Sequence, residues 1–468
     1  MTILELSEQL RDGRLTCTAL TKACLRAIAD NDQGGRKLNS VAELDPDVLF
    51  NARAIDEELR ENGPKSPLHG IPLLIKDNID VRGLHTTAGS LALADLIASE
   101  DAPLIKKLRD AGALILGKAN LSEFAYFMSD ENAPSGYSSR GGQVVHAYVP
   151  EINPSGSSSG SAVAVSARFV PAAIGTETDG SLMSPSSVNS ICTIKPTVGL
   201  VSRRGIIPIS HIQDTAGPMA TNVTDLALVL QAIAGRDEED AATLNCRVGD
   251  YMAALKTDCR GLKVGICRKD CKEEALEALD RAERILKEAG AEVVEVPFAD
   301  TRLGDWEAFP WEFKTGIDRY LARHDSDCRS LTDIIAFNKA DPERCLRYGQ
   351  GLLEASEAAG GDLKASGYLT RRLALEEESH RLLEGPMEEY GVDCLLSAGR
   401  FQKGNLAPVS GSPCLSLPAV KVTEEHYEPV NYQFYGRPYS EAVLLHAAYA
   451  LEQALGIENR PNWVDMLF

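Results

Sequence analysis

The sequence predicts an α/β fold, a single large domain with a central mixed β-sheet flanked by helices. Three observations carry that prediction. Helix-spaced and strand-like apolar segments alternate along all 468 residues. Residues 261–296 read as a complete strand–helix–strand unit. No linker and no internal repeat divides the chain, so 1–468 reads as one domain, although length alone would allow about three.

The elements follow in order. Ile3, Leu4, Leu6 and Leu10 share a helical face, and Leu20, Cys24 and Ile28 repeat the spacing, so the first 60 residues read as helices. Gly70-Ile-Pro-Leu-Leu-Ile-Lys76 gives a buried strand over 69–75. A helix over 101–111 and a strand over 113–117 come next. The stretch 129–154, rich in Ser, Gly, Asn and Pro, is too long for an ordinary connection and predicts a functional loop wall. Ala162–Arg168 suits a close-packed helix, Val170–Gly175 a short strand and Leu226–Ala234 a further helix. Strands at 261–267 and 291–296 enclose a helix over 273–289. Residues 305–390 are mainly helical. Strands near 393–397, 414–420 and 430–435 precede a helix over 440–455.

Composition excludes several function classes. A formal net charge of −20 argues against a phosphate-binding surface, so no nucleic-acid partner is expected. The eleven cysteines are odd in number and scattered. They read as reduced thiols rather than a disulfide framework. No His/Cys cluster completes a metal site, and neither metal nor cofactor is expected. The N-terminus lacks a signal-peptide pattern and no run is long enough to span a membrane. A cytoplasmic monomer or homodimer is the expectation.

Chemistry concentrates in three places. Lys76 ends an apolar run, and a lysine can act as a general base only if desolvation or hydrogen bonding favours its neutral form. Ser155-Gly-Ser-Ser-Ser-Gly-Ser161 contains a G-x-S-x-G pattern centred on Ser158. The nucleophile elbow requires an apolar strand just before it and an acid and histidine after it; Pro150-Glu-Ile-Asn-Pro-Ser155 precedes instead, and none of His211, His324, His380, His426 and His446 has a distinctive context. Thr178-Asp-Gly-Ser181 is a tight turn whose consecutive N–H groups can hold an oxyanion. Taken singly, each has a plain structural reading: a snorkelling lysine, a flexible loop, a helix cap.

Together, these residues resemble the amidase signature family of serine hydrolases. The resemblance covers about 68–231 and the tail Tyr435-Gly-Arg-Pro-Tyr-Ser-Glu-Ala-Val-Leu-Leu444, and is weakest over about 235–410. It implies the amidase signature fold and a Ser–cisSer–Lys triad of Lys76, Ser157 and Ser181, cleaving a carboxamide C–N bond through an acyl-enzyme. It implies Ser181 as nucleophile, Ser157 as a bridge after a cis peptide bond, and an oxyanion hole from the N–H groups of Thr178, Asp179, Gly180 and Ser181. Ala125 falls where the family often places a backbone carbonyl near substrate.

Two departures narrow the resemblance. Glu177-Thr-Asp-Gly-Ser181 replaces the commoner Asp-Thr-Gly-Gly-Ser, and Met183 replaces an arginine. The same form occurs in members similar to bacterial peptide amidase, which implies action on C-terminal peptide amides. The side chain of Asp179 is expected to turn away from the oxyanion. The alternatives are an A-subunit-like component of a glutamyl-tRNA amidotransferase and a catalytically silent binding protein on the same fold. Trp306, Trp311 and Tyr320 read as core aromatics, with a pocket role as the alternative.

Overall fold

A computed structural model describes residues 1–129, 132–400 and 404–464. Its strands are β1 (Val41–Leu44), β2 (Pro72–Lys76), β3 (Leu114–Ala119), β4 (Tyr137–Ser138), β5 (Gly142–Gln143), β6 (Ala172–Glu177) and β7 (Cys192–Lys195). β8 (Thr215–Ala220), β9 (Lys263–Ile266), β10 (Glu292–Glu295), β11 (Cys394–Gly399), β12 (Cys414–Pro418) and β13 (Asn431–Gly436) follow. Eleven of them form one mixed sheet in the order β1-β3-β2-β6-β8-β7-β12-β13-β11-β9-β10, while β4 and β5 pair as a separate hairpin. β2 runs parallel to both β3 and β6, whereas β8, β7, β12 and β13 pair antiparallel in succession.

The α/β prediction therefore holds, and the strand–helix–strand unit is present as parallel β9 and β10 joined by the helix Glu273–Glu288. Three strands of the large sheet escape the sequence reading. β1 lies among residues read as helical; it is a short edge strand with only Val41 fully buried. β7 and β8 lie in the interior of the sheet, and their mixture of Thr, Gly, Pro, Lys and Met hides the β pattern. Leu4 is 37% exposed, so it lies off the buried face that Ile3, Leu6 and Leu10 share. Within 129–154 the β4–β5 hairpin gives part of the expected loop wall its own hydrogen bonds; residues 130 and 131 fall outside the described set.

Two features of this architecture place the site. β2 and β6 are fully buried along their lengths, as strands covered on both faces should be. Their parallel register sets Ile75 opposite Ile174, so Lys76 ends its strand beside Gly175 and Thr176. The carboxyl ends of parallel strands are where such sheets open towards ligands. The helix Ser159–Ser166 then packs on β6 and β2 with every residue buried. Its approach depends on Gly160, where an added Cβ would lie 2.3 Å from the carbonyl oxygens of both Asn120 and Ser40.

That contact is with backbone, which has little freedom to move. Gly160→Ala is expected to cost about 2–3 kcal/mol of stability through overpacking. A thermal melt should show a lower Tm; a wild-type melt would show that the helix has room to shift.

Candidate active site

Lys76 is completely buried. Its Nζ lies 2.7 Å from Ser157 Oγ, 3.0 Å from Ser158 Oγ and 2.8 Å from Thr176 Oγ1. Among the described residues no carboxylate lies within ion-pair distance of it. Burial lowers its pKa from the ordinary lysine value to about 7, against the opposing charges of Glu177 and Asp214. The adjacent Asp77 does not neutralise it. That carboxylate accepts the Thr87 hydroxyl and pairs with Lys118 at 3.3 Å and Arg140 at 3.6 Å.

The three neighbours of Lys76 are not equivalent. The Ser158 hydroxyl donates to the Thr176 carbonyl at 3.0 Å, leaving its oxygen to accept from Lys76. Thr176 Oγ1 also accepts from Asn78 Nδ2 at 3.0 Å, so it too faces the lysine as an acceptor. A neutral amine has two N–H groups and one lone pair. Directing the N–H groups to Ser158 and Thr176 leaves the lone pair for the Ser157 hydroxyl.

The Gly156–Ser157 peptide bond is cis, as the resemblance implies. Ser157 and Ser158 are both completely buried. Ser181 differs: it is 8% exposed and lines a cleft of about 230 Å³. The N–H of Ser158 donates to the Ser181 carbonyl at 3.3 Å, tying the two serine clusters together. Ser158, the centre of the apparent elbow, is therefore an interior hydrogen-bonding group that does not line the cleft.

Residues 178–181 form one wall of that cleft. Gly180 adopts φ +82° with nothing within 4 Å of an added Cβ, so conformation rather than space requires a glycine here. Among the described residues, the N–H groups of Asp179, Gly180 and Ser181 have no acceptor within the chain. Asp179 turns its carboxylate to Arg302, at 2.6 Å, and to Trp306 Nε1, at 3.1 Å. Glu177, expected only as a motif residue, takes the N–H groups of Leu182 and Met183 at 2.6 and 3.0 Å. It thereby holds the chain just after Ser181. Burial raises its pKa while the charge of Lys195 opposes the rise.

Other supporting residues escape the sequence reading. Asp214 accepts the Thr178 hydroxyl at 2.5 Å and the N–H groups of Ile209 and Ser210 at 2.9 and 3.0 Å. Gln213 donates to the Thr178 carbonyl at 3.1 Å and to Asp305 at 3.0 Å. Gln213 and Asp214 immediately precede a buried strand, and two polar residues beside apolar sequence were the available signal. Opposite the turn, Phe127, Trp306 and Phe309 make an aromatic wall with centroids 5.8–6.0 Å apart. Trp306 thus takes the pocket role, whereas Trp311 packs in a satellite core cluster and Tyr320 in a second one. Ala125 lines the cleft within a run of left-handed residues, Phe124, Ala125 and Tyr126, at φ +47°, +55° and +74°. Such a run in non-glycine residues is held by its surroundings against a steric cost of about 1–2 kcal/mol per residue.

Comparison with known proteins gives this geometry a family. A family model described as amidase matches residues 19–403, and the chain belongs to that family. A solved structure of native peptide amidase from Stenotrophomonas maltophilia superposes with a TM-score of 0.93 at 40% identity, covering 100% of this chain and 99% of that one. A peptide amidase structure in complex with the competitive inhibitor chymostatin gives 0.91 at 39% identity, covering 99% of each chain. A probable amidase of Arabidopsis thaliana is 37% identical over 99% of this chain and 91% of its own length. The A-subunit of the glutamyl-tRNA(Gln) amidotransferase from Cereibacter sphaeroides is 32% identical over 99% of this chain and 98% of its own. The protein is an amidase-family enzyme on an α/β fold. No helix among the described residues is long and apolar enough to cross a membrane.

A buried lysine without a counter-ion carries a stability cost. Lys76 is neutral in the folded state above about pH 7, but charged in the unfolded chain up to about pH 10.4. The unfolded state therefore binds more protons between these values, and this group's contribution to stability rises with pH across that window. Below pH 7 both states are protonated and the full cost remains, about 4–5 kcal/mol. Lys76→Met removes the titration with little change of volume. Urea melts should show a variant more stable than wild type at pH 7, with the gap closing towards pH 10; a less stable variant at pH 7 would show that the hydrogen bonds of Lys76 outweigh its burial.

Proposed function

We propose that this amidase cleaves carboxamides with Ser181 as nucleophile, Ser157 as proton bridge and Lys76 as base. The observation that carries the reading is the buried, uncountered Lys76 with its Nζ 2.7 Å from Ser157 Oγ. Neutral Lys76 accepts the Ser157 proton as Ser157 accepts that of Ser181, and Ser181 Oγ attacks the amide carbon. The unsatisfied N–H groups of Asp179, Gly180 and Ser181, with Thr178 completing the turn, receive the oxyanion. The relay then returns the proton to the leaving nitrogen as the C–N bond breaks. Water enters by the same path in reverse, releasing the acid and restoring the Ser181 hydroxyl.

The substrate class follows from the cleft. Its aromatic wall of Phe127, Trp306 and Phe309 suits an apolar or aromatic group beside the scissile amide. Ala125 lines the same cleft, and its backbone offers polar contacts to an extended chain. A peptide ending in an amidated hydrophobic residue satisfies both. The full-length likeness to peptide amidase and the binding of a competitive inhibitor by that relative support the choice. Hydrolysis by the isolated chain, without partner subunits, is expected and distinguishes this reading from transamidation.

The tests are direct. A serine-reactive fluorophosphonate should label wild type and fail on Ser181→Ala; undiminished labelling of the variant sinks the nucleophile assignment. Lys76→Ala should lose at least roughly 10³-fold in kcat, since general-base assistance and nucleophile activation both fail. The wild-type rate should fall about tenfold per pH unit below 7 and level off above it, because only neutral Lys76 accepts a proton. An acid optimum contradicts the scheme. Trp306→Ala should raise KM for peptides amidated at a C-terminal Phe by about tenfold, with little change for those amidated at Gly.

A further inference from the structure

A second cavity, of about 490 Å³ against 230 Å³ for the catalytic cleft, opens behind the oxyanion turn. It lies between the loop 203–211, the segment 99–103 and the helix Phe309–Leu321 with its extension to His324. One hydrogen bond separates the two cavities. Asp214 lines the second cavity and accepts the hydroxyl of Thr178, which lines the first.

The lining is rich in both signs of charge, but most of it is already neutralised. Asp240 holds Arg203 through two bonds, at 2.5 and 3.0 Å, and Arg204 is taken by Asp237 and Glu239. Asp101 pairs with Arg109 at 3.0 Å. Asp80 accepts from Tyr320 at 2.6 Å and His324 at 2.8 Å. Among the described residues, the side chains of Arg319 and Arg323 make no ion pair or hydrogen bond, and both line the cavity one helical turn apart. His211 stands with them. Burial, joined by the charges of Arg203, Arg372 and Arg319, lowers its pKa against the pull of Glu312. It is thereby held towards its neutral form, with one ring N–H to give.

We infer that this cavity is a second, noncatalytic site for a small oxyanion-bearing molecule, a carboxylate or a phosphate, held by Arg319 and Arg323. Its occupancy is sensed at the oxyanion turn through Asp214 and Thr178. Paired guanidiniums on adjacent turns suit such a group because each offers a planar fork of donors that matches two oxygens. Glu100, a lining carboxylate that makes no ion pair or hydrogen bond among the described residues, would repel a second anionic end and so favours a compact anion. A ligand here moves the local field next to Asp214, and the Asp214–Thr178 bond passes that change to the turn that receives the oxyanion. Binding stands apart from the hydrolytic reading; the effect on rate rests on it.

Isothermal titration calorimetry on the full chain with inorganic phosphate and with succinate tests the site, with sodium chloride at matched ionic strength as the comparison. One of the two anions should bind saturably, and the one that binds identifies the ligand chemistry. Affinity should fall at least about tenfold in Arg319→Ala/Arg323→Ala, equivalent to losing one charge-assisted pair. Unliganded hydrolysis by that variant should match wild type. Saturating anion should change wild-type kcat, with half the effect at the calorimetric Kd. No saturable heat from either anion, or equal affinity in the double variant, overturns the site. Binding without a change in kcat, or an equal change with sodium chloride, overturns the coupling.

Discussion

A lysine ammonium buried in the interior of a sheet without a carboxylate partner is the constraint around which this protein is arranged. Desolvation alone brings Lys76 to a pKa of about 7. The fold preserves that condition by committing the acid next to it in the chain elsewhere. Asp77 is committed to Thr87, Lys118 and Arg140. Lys118, equally buried, receives a counter-charge and the carbonyls of Ile79 and His85. Two interior lysines on neighbouring strands thus have opposite environments. Only the one left uncountered faces a serine.

The serines are positioned by close approach rather than by long-range charge. Gly160 lets the helix after Ser158 press on the carbonyls of Asn120 and Ser40. Gly175 does the same on β6, where an added Cβ would come 2.7 Å from both Leu182 Cδ2 and Ser158 Oγ. Glu177 fixes the opposite end of the arrangement by taking two N–H groups just past Ser181. Met183, two residues past Ser181, is buried. The buried Lys195, bonded to the Pro196 carbonyl at 3.0 Å, supplies positive charge to that region from a different strand.

How much of this was legible depended on whether a feature is local. Lys76, Ser157 and Ser181 could be nominated because short glycine-rich and apolar runs mark them, and because their order resembles a known family. The alternation of helix and strand gave the α/β class from periodicity alone. β7 and β8 were missed because interior strands studded with Thr, Gly and Pro lose the alternation on which strand recognition relies. Gln213, Asp214, Asn78 and Arg302 were missed for another reason. Each acts on a residue far along the chain, as Asp214 does on Thr178, 36 positions away, and Arg302 on Asp179, 123 positions away. Nothing in a local window encodes that meeting. Trp306 was weighed as a pocket aromatic but favoured as core; it is 38% exposed, with its indole N–H spent on Asp179.

The bond between Arg302 and Asp179 joins two parts of the chain with different freedoms. Asp179 sits inside the turn that ends at Ser181, whereas Arg302 belongs to the region where the family resemblance is weakest. On the proposed mechanism, the backbone that receives the oxyanion is steadied from outside its own segment. Because Arg302 also lines the cleft, a substitution there alters both the entrance and the support of that turn while leaving Lys76, Ser157 and Ser181 untouched.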